Sequence, residues 1–588
     1  MLNIRIIYIC CLILTFASCK MKDEITCYGG SDSDLVQLLE KEGYTLKFYP
    51  SVSEALQNAP EKSGVLLLSD SYPVKGTSIS QEDESLIEAK SLRVLVEFPQ
   101  RIGTTDSSKS DTLNLERIVV CDSINTELPF MSLLSFNRCI LKETSDSINH
   151  PILVAAKVAG FDKAVYGLKD TETRPVLYYR TPHLLVSTTC ISHFASDRYM
   201  PEQKIKSLYE YIFRWLLSKN TVTFSSWITY ITPSYTPSDV LPENAGYESI
   251  KKGIEWFYNG HFLVNSEWKQ NWVDKYMGDG TMPIGPSIPD QFQNGDGSLG
   301  VLEGHMSEIR YDGSQLYRYW MRADVQGEAS YAFAAAGDLL ENNEYSKVAT
   351  NLIDYSFKEY RDSERNDPAS PSYGLLGWAY THKGTYYGDD NARFLLGVIA
   401  SSALLNDTEW DKKIAEGIIG NFRTTGINGF RGGSLLDTDI QKRGWKSFYD
   451  NNTVNLHAHF EAWNWACYLW LYNQTQYEPL LERSKKALSM MMASYPEQWS
   501  WTNGIQQERA RMILPLAWLY RVEPTEEHLK WLHYMTNELL KNQVTCGGIR
   551  EELGDESKSS FGHSPSNEAY GSTEASLIFD NGDPCLLY

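Results

Sequence analysis

Glu508, Arg509 and Arg511 stand where aromatic residues give way to a strongly apolar run, in WTNGIQQERARMILPLAWL over 501–519. Charged side chains are rarely fully buried unless paired. Three of them at the head of a core-forming helix predict a polar pocket cut into a helical core. Similar clusters recur upstream: RADVQGE at 322–328, YYGDDNAR at 386–393 and HAHFEAWNW at 457–465. Carboxylates, guanidiniums and imidazoles on successive helices suit general acid–base work, with one carboxyl kept protonated and another ionised.

Each cluster has a structural alternative. Asp324 and Glu328 are four apart and share a helix face. Two like carboxylates raise one pKa, which suits a general acid, but the pair also suits packing against an arginine on a neighbouring helix. Asp389 and Asp390 precede an arginine-bearing helix, and Asp390 lies one turn from Arg393. Adjacent side chains diverge, so one of the two aspartates faces a pocket; Gly-Asp-Asp is equally a good helix start. Glu508 and Arg511 are three apart and within reach of each other, and an arginine is suited to a bidentate grip on a carboxylate. A structural Glu–Arg brace fits the same residues. His457 and His459 are two apart and do not face each other, so a zinc pair of the HExxH kind is excluded. His457 and Glu461 share a face as a pocket wall. Trp463, Trp465 and Trp501 are candidate ring platforms or plain core, and Glu551 and Glu552 are reserve carboxylates in GGIREELG. The catalytic candidates are therefore Asp390, Glu328 and Glu508. Asp324, Arg393, Arg509, Arg511, His457, His459 and Trp501 are candidate binding residues.

The elements that must position these residues are helices. From residue 246 onward apolar periodicity predicts helices at about 246–260, 314–341, 344–361, 391–406, 409–424, 453–474, 477–495, 503–521, 525–543 and 566–577. Gly-rich and aromatic loops separate them. Paired helices of this kind predict an (α/α)6 toroid over 246–588. The ten helices fall short of the twelve that six hairpins need, so an incomplete or unusually closed ring is expected. Residues 19–220 read differently. ITCYGG, YTLKFYP, GVLLLSD and LRVLVEF are β-rich runs alternating with helical patterns, which predicts a doubly wound parallel α/β sheet. Residues 221–245, rich in Thr, Ser and Pro, read as a linker.

Composition narrows the functions. A net charge of −21 argues against nucleic acid, though a local arginine cluster still suits an anionic ligand. The 16 Trp and 36 Tyr suit ligands with an apolar face as well as a large core. The 10 Cys include no CxxC pair and no Cys/His ligand spacing, so no metal site is implied by them, and general acid–base work by carboxyls implies no cofactor. Residues 1–18 read as a signal peptide: a basic start, an apolar stretch too short to span a bilayer, then Phe16-Ala17-Ser18-Cys19.

That last tetrapeptide resembles a bacterial lipoprotein box, which implies a lipid on Cys19. The following CKMKDE resembles the export signal of Bacteroidetes-type surface lipoproteins. Outer-membrane anchoring at the cell surface is the expectation. Residues 19–220 resemble the class I glutamine-amidotransferase-like fold but lack its nucleophile elbow, so a non-catalytic module is expected. RADVQGEASYAFA, YYGDDNARFLLG, HAHFEAWNWACYLWLY, NGIQQERARMILPLAWL, GGIREELG and NEAYGSTEASLIFDNGDP resemble the six-hairpin glycosidases. More narrowly, they resemble the β-glucuronidase-like proteins of glycoside hydrolase family 154. The resemblance implies removal of uronic acid residues from glycans by a carboxylate pair, held roughly 6.5–9.5 Å apart if inverting. Two other outcomes stay open. One is a uronate lyase using Tyr387, His457 and Arg393; the other is a surface glycan-binding lipoprotein without turnover.

Overall fold

The computed structural model describes residues 24–571, apart from 108, 145–147, 161, 196–198, 230–233, 236–237, 311, 503, 545–546, 553–555 and 560–563. The signal peptide and Cys19 lie outside the described residues, as does everything after 571. The chain divides into two compact units, essentially 24–232 and 233–571, with 308–314 and 566–568 belonging to the first.

The first unit is built on ten strands: β1 Glu24–Tyr28, β2 Thr45–Phe48, β3 Gly64–Leu67, β4 Arg93–Glu97, β5 Arg117–Val120, β6 Leu133–Phe136, β7 Leu153–Ala156, β8 Thr173–Thr181, β9 Leu184–Ser187 and β10 Tyr199–Met200. They form one sheet in the order β10-β6-β5-β7-β8-β9-β4-β3-β1-β2. The strands from β2 to β9 in that order are parallel. The helices α1 Asp34–Lys41, α2 Val52–Asn58 and α3 Gln81–Ala89 supply the crossovers. The other half of the sheet is antiparallel, which corrects the expected parallel, doubly wound sheet. Between β4 and β9 no described helix intervenes, and connections that short join only antiparallel neighbours. A further helix, α4 Glu202–Leu216, packs Ile205, Leu208, Ile212 and Phe213 into the core. The start of the expected linker also belongs to this core. Val222 and Phe224 are buried there, and Trp227 stacks on Phe194 at 4.6 Å.

The second unit is mainly helical. After α5 Ala245–Asn259 come four antiparallel pairs: α6 Ala323–Leu339 with α7 Asn343–Glu359, α8 Gly388–Leu405 with α9 Asp411–Arg423, α10 Ala458–Thr475 with α11 Glu478–Ser494, and α12 Ile505–Val522 with α13 Glu526–Leu540. The first members, α6, α8, α10 and α12, pack side by side in chain order, and each second member backs its own partner. The core between the layers is aliphatic and aromatic, with Phe333, Leu352, Phe394, Ile418, Trp465, Leu488 and Leu516 fully buried. Four hairpins among the described residues are fewer than the six of the expected toroid. The helix expected from 314 begins only at Ala323, because Gln315–Arg318 pairs as a strand with Ile284–Gly285. Of the helix expected at 566–577, residues 566–571 are turns and the rest lies outside the described residues.

Candidate functional site

Each inner helix is entered after an outer helix has returned, so the inner helices run parallel and their N-termini share one end. That end carries the polar cluster. Four helices each place two residues one turn apart on a common face: Asp324 and Glu328 on α6, Asp389 and Arg393 on α8, His459 and Trp463 on α10, Gln507 and Arg511 on α12. Asp324 and Asp389 lie in the first turns, where the helix dipole favours negative charge.

The pairs interlock. Arg393 donates from Nε and Nη2 to both oxygens of Glu328, at 2.7 Å each, and its Nη1 sits 2.6 Å from Asp324 Oδ2. All three nitrogens of that guanidinium are thus engaged. Arg322 lies 3.1 Å from Glu303, 3.3 Å from Asp324 and 3.8 Å from Asp390. Asp389 Oδ2 faces His459 Nε2 at 3.4 Å and Arg511 Nη1 at 3.9 Å. Arg511 donates from Nη1 to the carbonyl of His459 at 3.0 Å and stacks over Trp463 at 4.4 Å. Arg393 flanks the same indole at 5.9 Å.

Helix packing makes this convergence possible. A Cβ on Gly327 would collide with Phe394, and one on Gly397 would collide with the backbone of Gly327. Ser330 and Ser401 complete the small-residue seam, their hydroxyls 3.4 Å apart. Close approach of α6 and α8 brings Asp324 to Arg393. Gly388 is constrained in the same way, since a side chain there would meet Asn464 and Arg431.

Burial sets the charge states. Asp390 is pushed well above the usual carboxylate range by desolvation, then by the charges of Asp389 and Asp324, and by a hydrogen bond to Asp324 that favours its protonated form. Asp389 is also raised by burial, but Arg511 and Arg393 oppose the shift. The environments therefore separate the two neighbours: Asp390 holds a proton more tightly. His459 is lowered to about 2 by burial and by Arg511, His457 and Arg393, so it is neutral. Several buried polar atoms here have no hydrogen-bond partner among the described residues, including Asp389 Oδ1, His459 Nδ1 and Gln507 Oε1. Buried polar groups are ordinarily satisfied, so such a cluster suits a hydroxylated ligand. Among the described residues no group of His, Cys, Asp and Glu is placed to hold a metal ion.

The structure redistributes the expected roles. Asp390, Asp324, Arg393, Arg511 and His459 come together. Glu328, expected as a catalytic carboxyl, has both oxygens held by Arg393 and is the more exposed end of the cluster, its side chain 46% accessible. Glu508, expected as another, is fully buried and accepts the backbone N–H of His459 and, at 3.1 Å, that of Thr502. It fixes the start of α10. Glu551 does the same for α12, accepting from Gln506 at 2.8 Å and Gln507 at 3.2 Å. Glu461 accepts from the backbone of Arg431 at 2.9 Å and Gly432 at 2.6 Å. Arg509 turns elsewhere, donating to Tyr495 at 2.7 Å and Glu552 at 2.8 Å. His457 meets Thr502 at 3.1 Å and Glu508 at 3.5 Å. Trp501 and Trp465 are core, while Trp463 is half-buried at the cluster. Sequence reading passed over Glu303 and Gln507. For Gln507 the signal was its i,i+4 relation to Arg511; Glu303 lies outside any helix and had none.

No protein-family model and no curated protein matches this chain. Solved structures match at low identity. A D-mannose isomerase shares 14% identity, with 49% of this chain and 73% of that one covered at a TM-score of 0.31. A family 76 glycoside hydrolase from a bovine Bacteroides thetaiotaomicron strain shares 11%, over 40% of this chain and 52% of that one, at 0.30. An α-amylase from Clostridium perfringens shares 10%, over 45% and 87%, at 0.23.

Proposed function

We propose that this protein is a glycoside hydrolase that removes uronic acid residues from glycans, anchored through a lipid on Cys19 at the bacterial surface. The motif resemblance to family 154-type β-glucuronidases suggests the substrate class. The observation that carries the reading is the buried carboxyl pair Asp389–Asp390, split in proton affinity and bordered by arginines and an indole. Glycoside hydrolysis needs one protonated and one ionised carboxyl. In this reading Asp390 gives its proton to the glycosidic oxygen as the C–O bond breaks. Water attacks the anomeric carbon, and Asp389 takes the water proton. Asp324, set between Arg393 and Arg322, positions the proton on Asp390. Arg511 receives the uronate carboxylate. Its Nη1 is pinned by the His459 carbonyl and its plane by Trp463, while Nε and Nη2 make no hydrogen bond with the described residues. That leaves a fork edge preorganised for a carboxylate.

The lyase alternative draws no support from the placement of its residues: Tyr387 packs on Trp378, and His457 and Arg393 are occupied as described above. The test is turnover of aryl β-glucuronides and acidic glycans by the mature protein, following free uronic acid and ultraviolet absorbance together. Asp390→Asn is expected to cut kcat/KM by about 10³-fold. Arg511→Lys is expected to cut it by about 100-fold on glucuronides and hardly at all on the matching glucosides. Absorbance without free uronic acid sinks the hydrolase in favour of a lyase. Binding without turnover makes the protein a glycan receptor. Detergent-phase partition lost in Cys19→Ser checks the anchor.

A further inference from the structure

Tryptophans of the second unit differ in how they are held. Trp268, Trp410, Trp465 and Trp499 are fully buried, and each indole N–H is donated, to Gln293 O at 2.9 Å, Asp354 Oδ1 at 2.9 Å, Gly429 O at 2.7 Å and Met491 O at 2.9 Å respectively. Trp320 and Trp378 are different. Both are half-buried, and neither belongs to the unit's hydrophobic core or its packed margin. They pack on each other at 5.5 Å and on His382, which lies parallel to Trp320 at 6.3 Å and tilted 5.4 Å from Trp378. Tyr387 closes the group edge-on to Trp378 at 5.1 Å. Trp320 Nε1 is buried with no hydrogen-bond partner among the described residues.

This cluster is tied to the acid. Trp320 precedes Arg322 by two residues, and Tyr387 precedes Asp389 by two. The Trp378 carbonyl accepts the N–H of Ala323 at 3.0 Å, at the start of α6. A chain of charges runs from the cluster inward: Arg318 lies over Trp320 at 5.4 Å and 2.8 Å from Glu303, which reaches Arg322, which reaches Asp390. Contacts thus lead from Asp390 through Arg322, Glu303 and Arg318 to Trp320, and from Asp389 to His459 and Arg511.

We infer that Trp320, Trp378, His382 and Tyr387 form the leaving-group subsite, which takes the next pyranose ring of the glycan beyond the bond cleaved. The inference rests on the hydrolase reading and adds its polarity. If Arg511 holds the uronate and Asp390 protonates the bridging oxygen, the departing sugar lies on the Trp320 side. A pyranose presents an apolar face to an indole, and Trp320 and Trp378 are only half-buried.

The test compares methyl β-glucuronide with a β-linked glucuronyl-glucose disaccharide on the full chain. Trp378→Ala is expected to lower kcat/KM about tenfold on the disaccharide and leave the methyl glycoside unchanged. Trp320→Ala serves as an independent variant, with melting curves showing that each is folded. Equal losses on both probes, or none on either, overturn the subsite while the hydrolase stands. If the wild type turns over neither probe, disaccharide titration of the wild type by calorimetry decides: binding weakened about tenfold in Trp378→Ala keeps the cluster as a sugar platform although the hydrolase reading falls, and binding that is unchanged or absent overturns both.

Discussion

Asp390 and Asp389 are neighbours in sequence with different surroundings. Among the described residues Asp390 has Arg322 within ion-pair distance, at 3.8 Å, and feels the charges of Asp389 and Asp324. Asp389 meets Arg511 and a neutral imidazole. A raised acid stays protonated above the ordinary carboxylate range, so activity should persist into neutral pH and fall as pH rises through the pKa of Asp390. In Asp390→Asn the residual activity should lose that alkaline limb, which pH profiles of kcat/KM will show. His459, lowered to about 2, should give no imidazole titration by NMR between about pH 5 and 8. A shift in that window would mean that the site is wetter than its packing indicates.

The helices act as rulers. A one-turn offset repeated on four parallel helices converts i,i+4 spacing into a polar face, provided α6 and α8 approach closely. Gly397→Ala should therefore cost about 1–3 kcal/mol by overpacking. It should also lower kcat, because Asp324 moves away from Arg393. Chemical denaturation and single-turnover rates measure the two effects separately. Glu508 belongs to this scale as well. Its oxygens hold backbone N–H groups at the start of α10, so Glu508→Gln should lower stability by about 1–2 kcal/mol and leave the pH profile in place. A variant of full stability with no turnover would instead make Glu508 a catalytic residue.

Across the whole molecule, buried carboxyls couple stability to pH. Glu461, 1% exposed, is raised to about 7 by burial, which outweighs its N–H donors and Arg431. A carboxyl whose folded pKa is raised favours the folded state when protonated. That contribution is complete below about pH 4.5 and is lost as pH rises through about 7, a span of about 3 kcal/mol. Asp389 and Asp390 act with the same sign. The protein should be most stable on the acid side of neutrality, and Glu461→Gln should flatten stability between about pH 5 and 8. An unchanged slope would show that Glu461 is already ionised in the fold.

By itself the sequence determined most of the long helices and which four clusters carry charge into a core. Those follow from periodicity and composition, which are local. Only the tertiary structure decided which carboxyls meet. Arg393 finds Glu328 65 residues away, and Glu508 spends itself on the N–H of His459, 49 residues back. Such partners depend on which helices touch and how closely. The deciding residues at that contact, Gly327 and Gly397, carry no side chain to announce it. The aromatic cluster was equally hidden, because a half-buried tryptophan and a core tryptophan are spelled alike until packing separates them.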